Sequence, residues 1–351
     1  MMTRNSLDIV IRFSSLGDIV LCSAFIEKLA RQKDPHQIIF ATQSSFRDIV
    51  STFKQAPHKI WALPSSSLSV FFKTWGLLNS EHSQRPLHSL RVYDLHGVPK
   101  SFFLKCAAFI FALTHGIDYV SSTTSKKSIR RWLTLLFKKD LMGQRHVYAE
   151  HQKLITSSPE ILLPQLTHKH SSPHYSQDRV KKILIAPDSQ HWKKKWPVTL
   201  WEEFFRLAYI SIPNAEYTLV GGIDVFPMDF LDQLKESYGQ RFQNKLGQLP
   251  LVDLPRIAAE HDLTLCGNSA WQHISESVSV PVISLPGPIV KGFGFSPFLE
   301  DSRELEVHLN CRPCTRHGGG VCHMKGDNFH ACMKRISPEL LLKNTKELLR
   351  L

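Results

Sequence analysis

The stretch "IVIRFSSLGDIV" (residues 9–20) joins an apolar, β-branched run to a polar turn and then to a new apolar pattern. The first part predicts a strand over residues 8–13. The spacing after Gly17 predicts a helix over residues 18–32. A strand, a short glycine turn and a helix in succession form a βα unit, from which parallel sheets are built. The stretch therefore favours an α/β fold.

The same alternation of strand and helix continues along the chain. In the first half, strands are predicted at 37–42, 59–63, 90–95 and 117–121, and a helix at 101–114. After a polar, non-periodic stretch, the second half restarts with strands in KILIAP (182–187), EYTLVGG (216–222), LTLC (263–266) and PVISLPGP (281–288), and helices at 199–210 and 227–238. We predict two Rossmann-like domains with parallel sheets facing a cleft, at 1–165 and 181–351, joined by a linker at 166–180.

Composition narrows the class of protein. The chain has 351 residues, of which 42% are hydrophobic, as expected for two ordinary globular domains. No uninterrupted apolar run reaches the roughly 18 residues of a spanning helix, and the N-terminus lacks the layout of a signal peptide. We therefore expect a cytoplasmic location. The net charge of +12 indicates a polyanionic partner, whether nucleic acid, an anionic membrane or a phosphorylated substrate.

The turn after the first predicted strand contains a carboxylate. Ligands of open α/β sheets bind at the carboxyl ends of the strands, so Ser15 and Gly17 would lie at such an end. Gly17 would let a ligand approach the backbone, and Asp18 would sit in the first helical turn, where the dipole favours its ionised form. Asp18 could act as a general base, or it could simply cap the helix, and the stretch alone favours the cap.

Two later strand ends also bring polar groups together. "YDLHGVPKS" (93–101) places His96 and Lys100 beside a helix start, which suits a hydroxyl-rich or anionic substrate or an ordinary turn. "APDSQHWKKKWP" (186–197) offers Ser189 and three successive lysines. Lysines at a strand end can neutralise a diphosphate, although a solvated basic loop has the same composition.

"LTLCGNSAWQHISESVSVPVISLPGP" (263–288) carries the clearest signal of an anion site. A buried strand reaches Cys266, and Asn268 and Ser269 then begin a helix whose first backbone N–H groups have no partner within the helix. His273 lies four residues after Ser269 on the same helical face, as either a ligand contact or a structural histidine.

Together these motifs resemble the heptosyltransferase-type glycosyltransferases of family 9, which extend the inner core of lipopolysaccharide. The similar segments are RFSSLGDIVLCSAF (12–25), DLHGVPKS (94–101), KKWP (194–197) and GNSAWQHISESVSVPVISLPGP (267–288). The resemblance implies a GT-B fold, with an N-terminal acceptor-binding domain and a C-terminal nucleotide-sugar-binding domain. It also implies inverting transfer of heptose from ADP-heptose to a lipid A-core acceptor.

The resemblance also assigns roles to residues. It makes Asp18 the catalytic base and places Ser15, Gly17, His96 and Lys100 at the acceptor. It places Ser189, Lys194, Asn268, Ser269, Ala270 and His273 at the donor. No cofactor is required for catalysis, in keeping with the lack of a D-x-D pair. Asn268 and Ala270 stand where the family has an acid and a glycine. A catalytically degenerate GT-B protein that binds a nucleotide or glycan is therefore an alternative. A nucleic-acid-binding protein is less favoured, because no nucleic-acid motif is present.

Four cysteines near the C-terminus form a C-x2-C-x7-C-x9-C array, with histidines among them. Four thiolates could hold structural zinc or an iron–sulfur cluster, although the spacing matches no standard zinc ribbon. The alternative is a set of reduced thiols clustered beneath a loop. The cysteines are Cys311, Cys314, Cys322 and Cys332.

The stretch "KKSIRRWLTLLFKKDL" (126–141) has basic ends around an apolar centre. This pattern predicts an amphipathic surface helix. Because the family's acceptor is lipid-linked, we expect peripheral association with the inner leaflet of the inner membrane. A helix that packs on the sheet with a charged outer face is the alternative.

Overall fold

The computed structural model describes residues 5–32, 36–125, 127–156, 158–170 and 180–351. The chain divides into two compact units, Met1–Lys126 with Val147–Thr167 and Lys127–His146 with His168–Leu351. This division assigns 127–146 to the second unit, whereas the boundaries predicted from sequence place them in the first domain. Residues 171–179 of the predicted linker lie outside the described residues.

The first unit contains a five-stranded parallel sheet with the order β3-β2-β1-β4-β5. Strands β2 and β3 are added on one side of β1, and β4 and β5 on the other, so the strand order reverses between β1 and β4. Ligands of such sheets bind at the carboxyl ends of the strands near that point. The strands are β1 (Ser6–Ile11), β2 (His36–Gln43), β3 (Lys59–Leu63), β4 (Ser89–Asp94) and β5 (Asp118–Thr123). The helices are α1 (Leu16–Leu21), α2 (Ser23–Ala30), α3 (Arg47–Ser51), α4 (Ser67–Gln84), α5 (Pro99–His115) and α7 (Val147–Gln152).

The central strand β1 is buried on both faces, which is why its apolar residues are continuous and do not alternate. Ile9, Val92 and Phe111 belong to one apolar core. One buried acid lies within β1: Asp8 pairs with Arg91 of β4, with Nε–Oδ1 and Nη2–Oδ2 distances of 2.7 and 3.0 Å. This bidentate pair offsets the cost of burying a charge in the sheet.

The second unit contains a six-stranded parallel sheet with the order β11-β10-β9-β6-β7-β8. Its core includes Trp201, Phe205 and Tyr217. The strands are β6 (Lys182–Ala186), β7 (Glu216–Leu219), β8 (Phe242–Asn244), β9 (Leu263–Gly267), β10 (Val282–Leu285) and β11 (Arg303–Glu304). The helices are α6 (Ser128–Phe137), α8 (Val198–Ser211), α9 (Met228–Tyr238), α10 (Leu254–Ala259), α11 (Ala270–Ser277), α12 (Ala331–Lys334) and α13 (Pro338–Leu349).

The two parallel sheets confirm the predicted α/β class, and the differences are local. The single helix predicted over 18–32 is two helices, which meet at Cys22, and the Ser23 hydroxyl donates to the Val20 carbonyl at 2.8 Å. β1 ends at Ile11, two residues earlier than predicted. Across the described ranges, no helix combines the length and the apolar character needed to cross a bilayer.

Candidate active site

Asp18 is the third residue of α1 and follows the carboxyl end of β1. Its Oδ2 atom receives the Arg12 guanidinium at 2.7 Å and the Ser15 hydroxyl at 2.9 Å. The backbone N–H of Ser15 approaches the same oxygen at 3.5 Å, so Asp18 also caps α1. Arg12 is itself anchored by the carbonyls of Ser14 at 2.7 Å and Leu95 at 2.6 Å. A fixed cation thus pairs with the carboxylate and holds it in one orientation.

Two buried groups, His151 of α7 and Cys22, lie beside this ion pair. The His151 Nδ1 atom is 4.0 Å from the Cys22 sulfur. Burial, reinforced by the positive charge of Arg12, lowers the pKa of His151 to about 3. Burial raises the pKa of Cys22 to about 12. Both groups are therefore neutral near neutral pH, and the ionised group of this cluster that could accept a proton is Asp18. The sequence analysis did not identify Arg12 or His151.

The turn after β4 is organised by the buried carboxylate of Asp94. Its Oδ1 atom accepts the backbone N–H groups of His96 at 3.0 Å and Gly97 at 2.7 Å. Its Oδ2 atom accepts the Ser101 hydroxyl at 2.7 Å and lies 3.1 Å from the ammonium of Lys105. Asp94 therefore fixes the conformation of the turn and, through it, the position of His96.

The turns after β1 and β4 meet, as expected for adjacent parallel strands. The backbone N–H of Phe13 donates to His96 Nδ1 at 3.3 Å. This contact brings His96 to the same sheet edge as the exposed Ser15. Lys100 is half-buried in the first turn of α5. Gly17 is buried inside α1, so it lies in the helix and not in a glycine loop as predicted.

In the second unit, the three lysines that follow β6 have three different partners. Lys195 pairs with Asp188 at 2.7 Å, and the backbone N–H of Ser189 donates to the same carboxylate at 2.8 Å. The buried Lys193 donates to the Val321 carbonyl at 3.2 Å. Lys194 is the lysine that reaches the beginning of α11.

Lys194 meets Asn268 at the carboxyl end of β9. The Lys194 ammonium donates to Asn268 Oδ1 at 2.8 Å, and Asn268 Nδ2 donates to the Phe295 carbonyl at 3.3 Å. Gln272, fully buried, donates to the same carbonyl at 2.7 Å and was not identified from the sequence. Gly267 permits this approach, because a Cβ there would lie 2.9 Å from the Lys194 carbonyl oxygen. The amide of Asn268 is thus held with its oxygen toward the lysine.

The N-terminus of α11 carries an unsatisfied hydroxyl. Ser269 is the N-cap residue, with extended backbone, and Ala270 is the first helical residue. The Ser269 Oγ atom is buried, and none of the described residues gives it a hydrogen bond. His273, also buried, places its ring 6.2 Å from that of Phe295. A helix N-terminus, an unsatisfied hydroxyl and a lysine ammonium are the components of an anion site.

A polar cavity of about 190 Å³ lies within the second unit, and its lining includes Ser296, the residue after Phe295. Burial raises the pKa of Glu304 and lowers that of His146 in its wall. The lining thus combines cationic, carboxyl and hydroxyl groups, which suits a ligand with many hydroxyls. It includes Gln144, Arg145, His146, Lys291, Ser296 and Glu304.

The four cysteines of the C-terminal array are free thiols. Burial, with a further contribution from the neighbouring Cys311 and Cys322, raises the pKa of Cys314. Within the part of the chain that the structure describes, no group of three or more histidine, cysteine or acidic side chains is arranged to hold a metal ion. Metal binding by these thiols therefore stays a prediction.

Comparison with known proteins gives a consistent family. The sequence profile of glycosyltransferase family 9 (heptosyltransferase) matches residues 92–321. Lipooligosaccharide heptosyltransferase 2 of Campylobacter jejuni is 24% identical over 177 residues, which are 48% of this chain and 52% of that protein. The match thus spans about half the length of that relative.

Two solved structures share the fold over nearly their whole length. The family 9 glycosyltransferase of Veillonella parvula has a TM-score of 0.70 and 14% identity, covering 100% of this chain and 99% of the other. The ADP-heptose lipopolysaccharide heptosyltransferase II of E. coli has a TM-score of 0.66 and 16% identity, covering 98% of each chain. These likenesses show that the two Rossmann-like units form the GT-B fold.

Proposed function

The chain belongs to glycosyltransferase family 9, and from that premise we propose that it transfers a heptose from ADP-heptose to the inner core of a lipopolysaccharide or lipooligosaccharide, with inversion at the anomeric carbon. The observation that carries the proposal is the Lys194–Asn268 contact of 2.8 Å beside the unsatisfied Ser269 hydroxyl. Two relatives, a lipooligosaccharide heptosyltransferase and an ADP-heptose lipopolysaccharide heptosyltransferase, support the donor and acceptor classes.

The donor diphosphate would bind at the beginning of α11. The Lys194 ammonium, the Ser269 hydroxyl and the first backbone N–H groups of the helix supply positive or donor groups on one side. Ser189, next to the lysine turn, would add a hydroxyl. Fixed donors of this kind stabilise the negative charge that grows on the departing ADP, by roughly 3 kcal/mol for one well-placed donor.

Asp18 would be the base that activates the acceptor. As the acceptor hydroxyl oxygen attacks the anomeric carbon, its proton passes to the Asp18 carboxylate and the bond to the ADP oxygen breaks. Arg12 would keep that carboxylate oriented before the reaction. Ser15, His96 and Lys100 would hold the acceptor, because hydroxyl, imidazole and ammonium groups suit a hydroxyl-rich or anionic sugar.

Asn268 and His273 would contact the donor sugar. Asn268 replaces the acid of the related enzymes with a neutral amide, which can still hydrogen-bond a sugar hydroxyl. The replacement places a neutral amide beside Lys194, and the lysine charge would act on the diphosphate. We propose that catalysis requires no metal ion, because lysine and helix N–H groups supply the charge that a metal bridge would otherwise supply.

The lipid-linked acceptor would be reached at the inner-leaflet membrane surface. On α6, Trp132 and Phe137 expose 55% and 63% of their surface, and Ile129 and Leu136 of the same helix are exposed as well. Exposed basic residues, Arg130, Lys138 and Lys139, flank this apolar stripe. Apolar residues bordered by lysine and arginine match the pattern of helices that lie on anionic membranes. We therefore propose peripheral association from the cytoplasmic side.

Thermal unfolding with a panel of nucleoside diphosphates and nucleotide sugars tests the donor assignment. We expect ADP and ADP-heptose to stabilise the wild-type protein and to lose that effect in Lys194→Ala, with the exposed Lys343→Ala as the control. Selective stabilisation by UDP or GDP would contradict the ADP donor. Stabilisation by ADP without any transfer would favour the degenerate GT-B alternative that Asn268 and Ala270 raise.

A further inference from the structure

The cysteine-rich segment packs over the lysine turn of the second unit. The Trp192 indole donates to the Gly320 carbonyl at 3.2 Å, and the Lys193 ammonium donates to the Val321 carbonyl at 3.2 Å. From the other side, His330 Nε2 donates to the Lys193 carbonyl at 3.0 Å. Two of these contacts hold the side chains of Trp192 and Lys193, and the third holds the Lys193 carbonyl immediately before Lys194.

The side chain of Lys194 itself runs along the backbone of Gly318. A Cβ placed on Gly318 would lie 2.9 Å from Cγ and 3.1 Å from Cε of Lys194, and 3.0 Å from Cβ of His191. Gly318 is buried and has a φ of +96°, a conformation that favours glycine. The backbone of Gly318 thus packs directly against the lysine stem and limits where the stem can lie.

We propose that Gly318 is a positioning residue for the donor site: its bare backbone holds the Lys194 stem so that the ammonium lies at Asn268 and faces the donor diphosphate. The proposal rests on the function proposed above for Lys194. It also gives the cysteine-rich segment a role, because Gly318 lies within that segment and borders the stem of the lysine. A side chain added at Gly318 would meet the Lys194 stem and the Cβ of His191, so the stem would have to shift.

The adjacent glycines provide matched controls. Gly320 has a φ of +78°, and a Cβ there would come no closer than 3.9 Å to Lys193 Nζ. Gly319 has no left-handed backbone, and a Cβ there would make ordinary contacts at 3.8 Å with the His191 ring. Alanine at Gly320 therefore adds backbone strain without touching Lys194, and alanine at Gly319 adds neither. Only alanine at Gly318 combines strain with displacement of the lysine.

The test is calorimetric titration of ADP into the Gly318→Ala, Gly319→Ala and Gly320→Ala proteins, with urea unfolding of each. We expect folded Gly318→Ala to bind ADP about tenfold more weakly than Gly320→Ala, because the displaced lysine loses part of one charge-assisted contact. Urea unfolding shows that each variant is folded under the conditions of the titration. Gly319→Ala should match the wild type. In a transfer assay of Gly318→Ala, the KM for the donor should rise by a larger factor than kcat falls.

The combination with Lys194→Met separates the two proposals. If Gly318 acts through the lysine, adding Gly318→Ala to Lys194→Met should change ADP affinity little further. Equal ADP affinity of Gly318→Ala and Gly320→Ala, or a full additive loss in the double variant, would overturn the positioning role while leaving the donor assignment intact. Unchanged ADP affinity in Lys194→Met alone would instead overturn the donor assignment on which it rests.

Discussion

The ammonium of Lys194 donates to the side-chain oxygen of Asn268 at 2.8 Å, joining the turn after β6 to the beginning of α11. The two residues are far apart in sequence and meet because β6 and β9 are adjacent parallel strands. This partner of the lysine is a neutral amide, held by the Phe295 carbonyl. The amide orients the ammonium without adding a negative charge beside it, and the proposed donor diphosphate would use the lysine charge.

Asn268→Asp should weaken the binding of ADP. A carboxylate would pair with Lys194 and repel the phosphates, so we expect a loss of about threefold to thirtyfold in affinity, typical of one charge-assisted contact at a half-buried site. Calorimetry at low salt measures it. The exposed Asn214→Asp introduces the same charge in the same unit and should leave the affinity unchanged. Tighter ADP binding by Asn268→Asp would refute this view of the lysine.

Asp18→Asn should abolish most transfer and leave ADP binding intact. The amide keeps the shape and one acceptor oxygen for Arg12 and Ser15, but it cannot take the proton of the acceptor hydroxyl. We expect the transfer rate to fall roughly 100-fold or more. Rates come from ADP release in the presence of acceptor, and affinity from calorimetry. A variant with nearly wild-type turnover would leave Asp18 with its capping role alone.

Glu276→Gln should remove part of the pH dependence of stability. Burial raises the pKa of this carboxyl from 4.5 to about 8, although its Oε1 accepts the N–H groups of Phe298 and Leu299 at 2.7 and 2.9 Å. The native state holds the proton more firmly, so its stabilisation is complete below about pH 4.5 and is lost as the pH rises through about 8. Glutamine mimics the protonated acid.

The measurement is urea unfolding at about pH 6 and about pH 9, below and above the raised pKa. The wild type should lose more unfolding free energy between the two than Glu276→Gln does. Burial also raises the pKa of Glu304, which contributes with the same sign to both proteins and cancels in the comparison. The exposed Glu236→Gln is the control and should behave as the wild type. Equal losses in all three proteins would mean that Glu276 is ionised throughout.

Replacing Trp132 and Phe137 of α6 with serine should release the protein from anionic vesicles. Both side chains are exposed, so the fold should tolerate the change, and we expect about tenfold weaker binding for each aromatic removed. Co-sedimentation with phosphatidylglycerol vesicles at low salt measures it. Ile210→Ser removes a side chain that is 69% exposed on α8 and serves as the control. A wild-type protein that does not sediment would remove the membrane proposal.

Local sequence patterns could predict most strands of the two sheets, but not the two shortest strands. Apolar runs such as KILIAP identify buried parallel strands because both faces are covered. β8 and β11 have three and two residues, too few for any periodicity, and they exist because neighbouring strands offer them hydrogen bonds. The break at Cys22 was missed because the apolar spacing continues through it.

The site shows a similar division. Asp18, Lys194 and Asn268 could be found because each follows a strand, although the choice of Lys194 among three lysines depended on the family resemblance. Arg12, Gln272 and the contact of Gly318 with Lys194 could not be found, since each depends on segments that meet only in the folded chain. The cysteine array is a different case: its spacing indicates a metal, the described thiols are not arranged as a ligand set, and the metal site stays a prediction.

The most direct test of the account is a transfer assay with ADP-heptose and a heptose-deficient lipid A-core acceptor, read by mass spectrometry of the acceptor together with ADP release. We predict that the wild type adds one heptose for each ADP released, that Lys194→Met lowers transfer at limiting donor, and that Asp18→Asn stops transfer while still binding ADP. ADP-heptose that is neither bound nor consumed, under conditions where another nucleotide sugar is, would contradict the proposed activity.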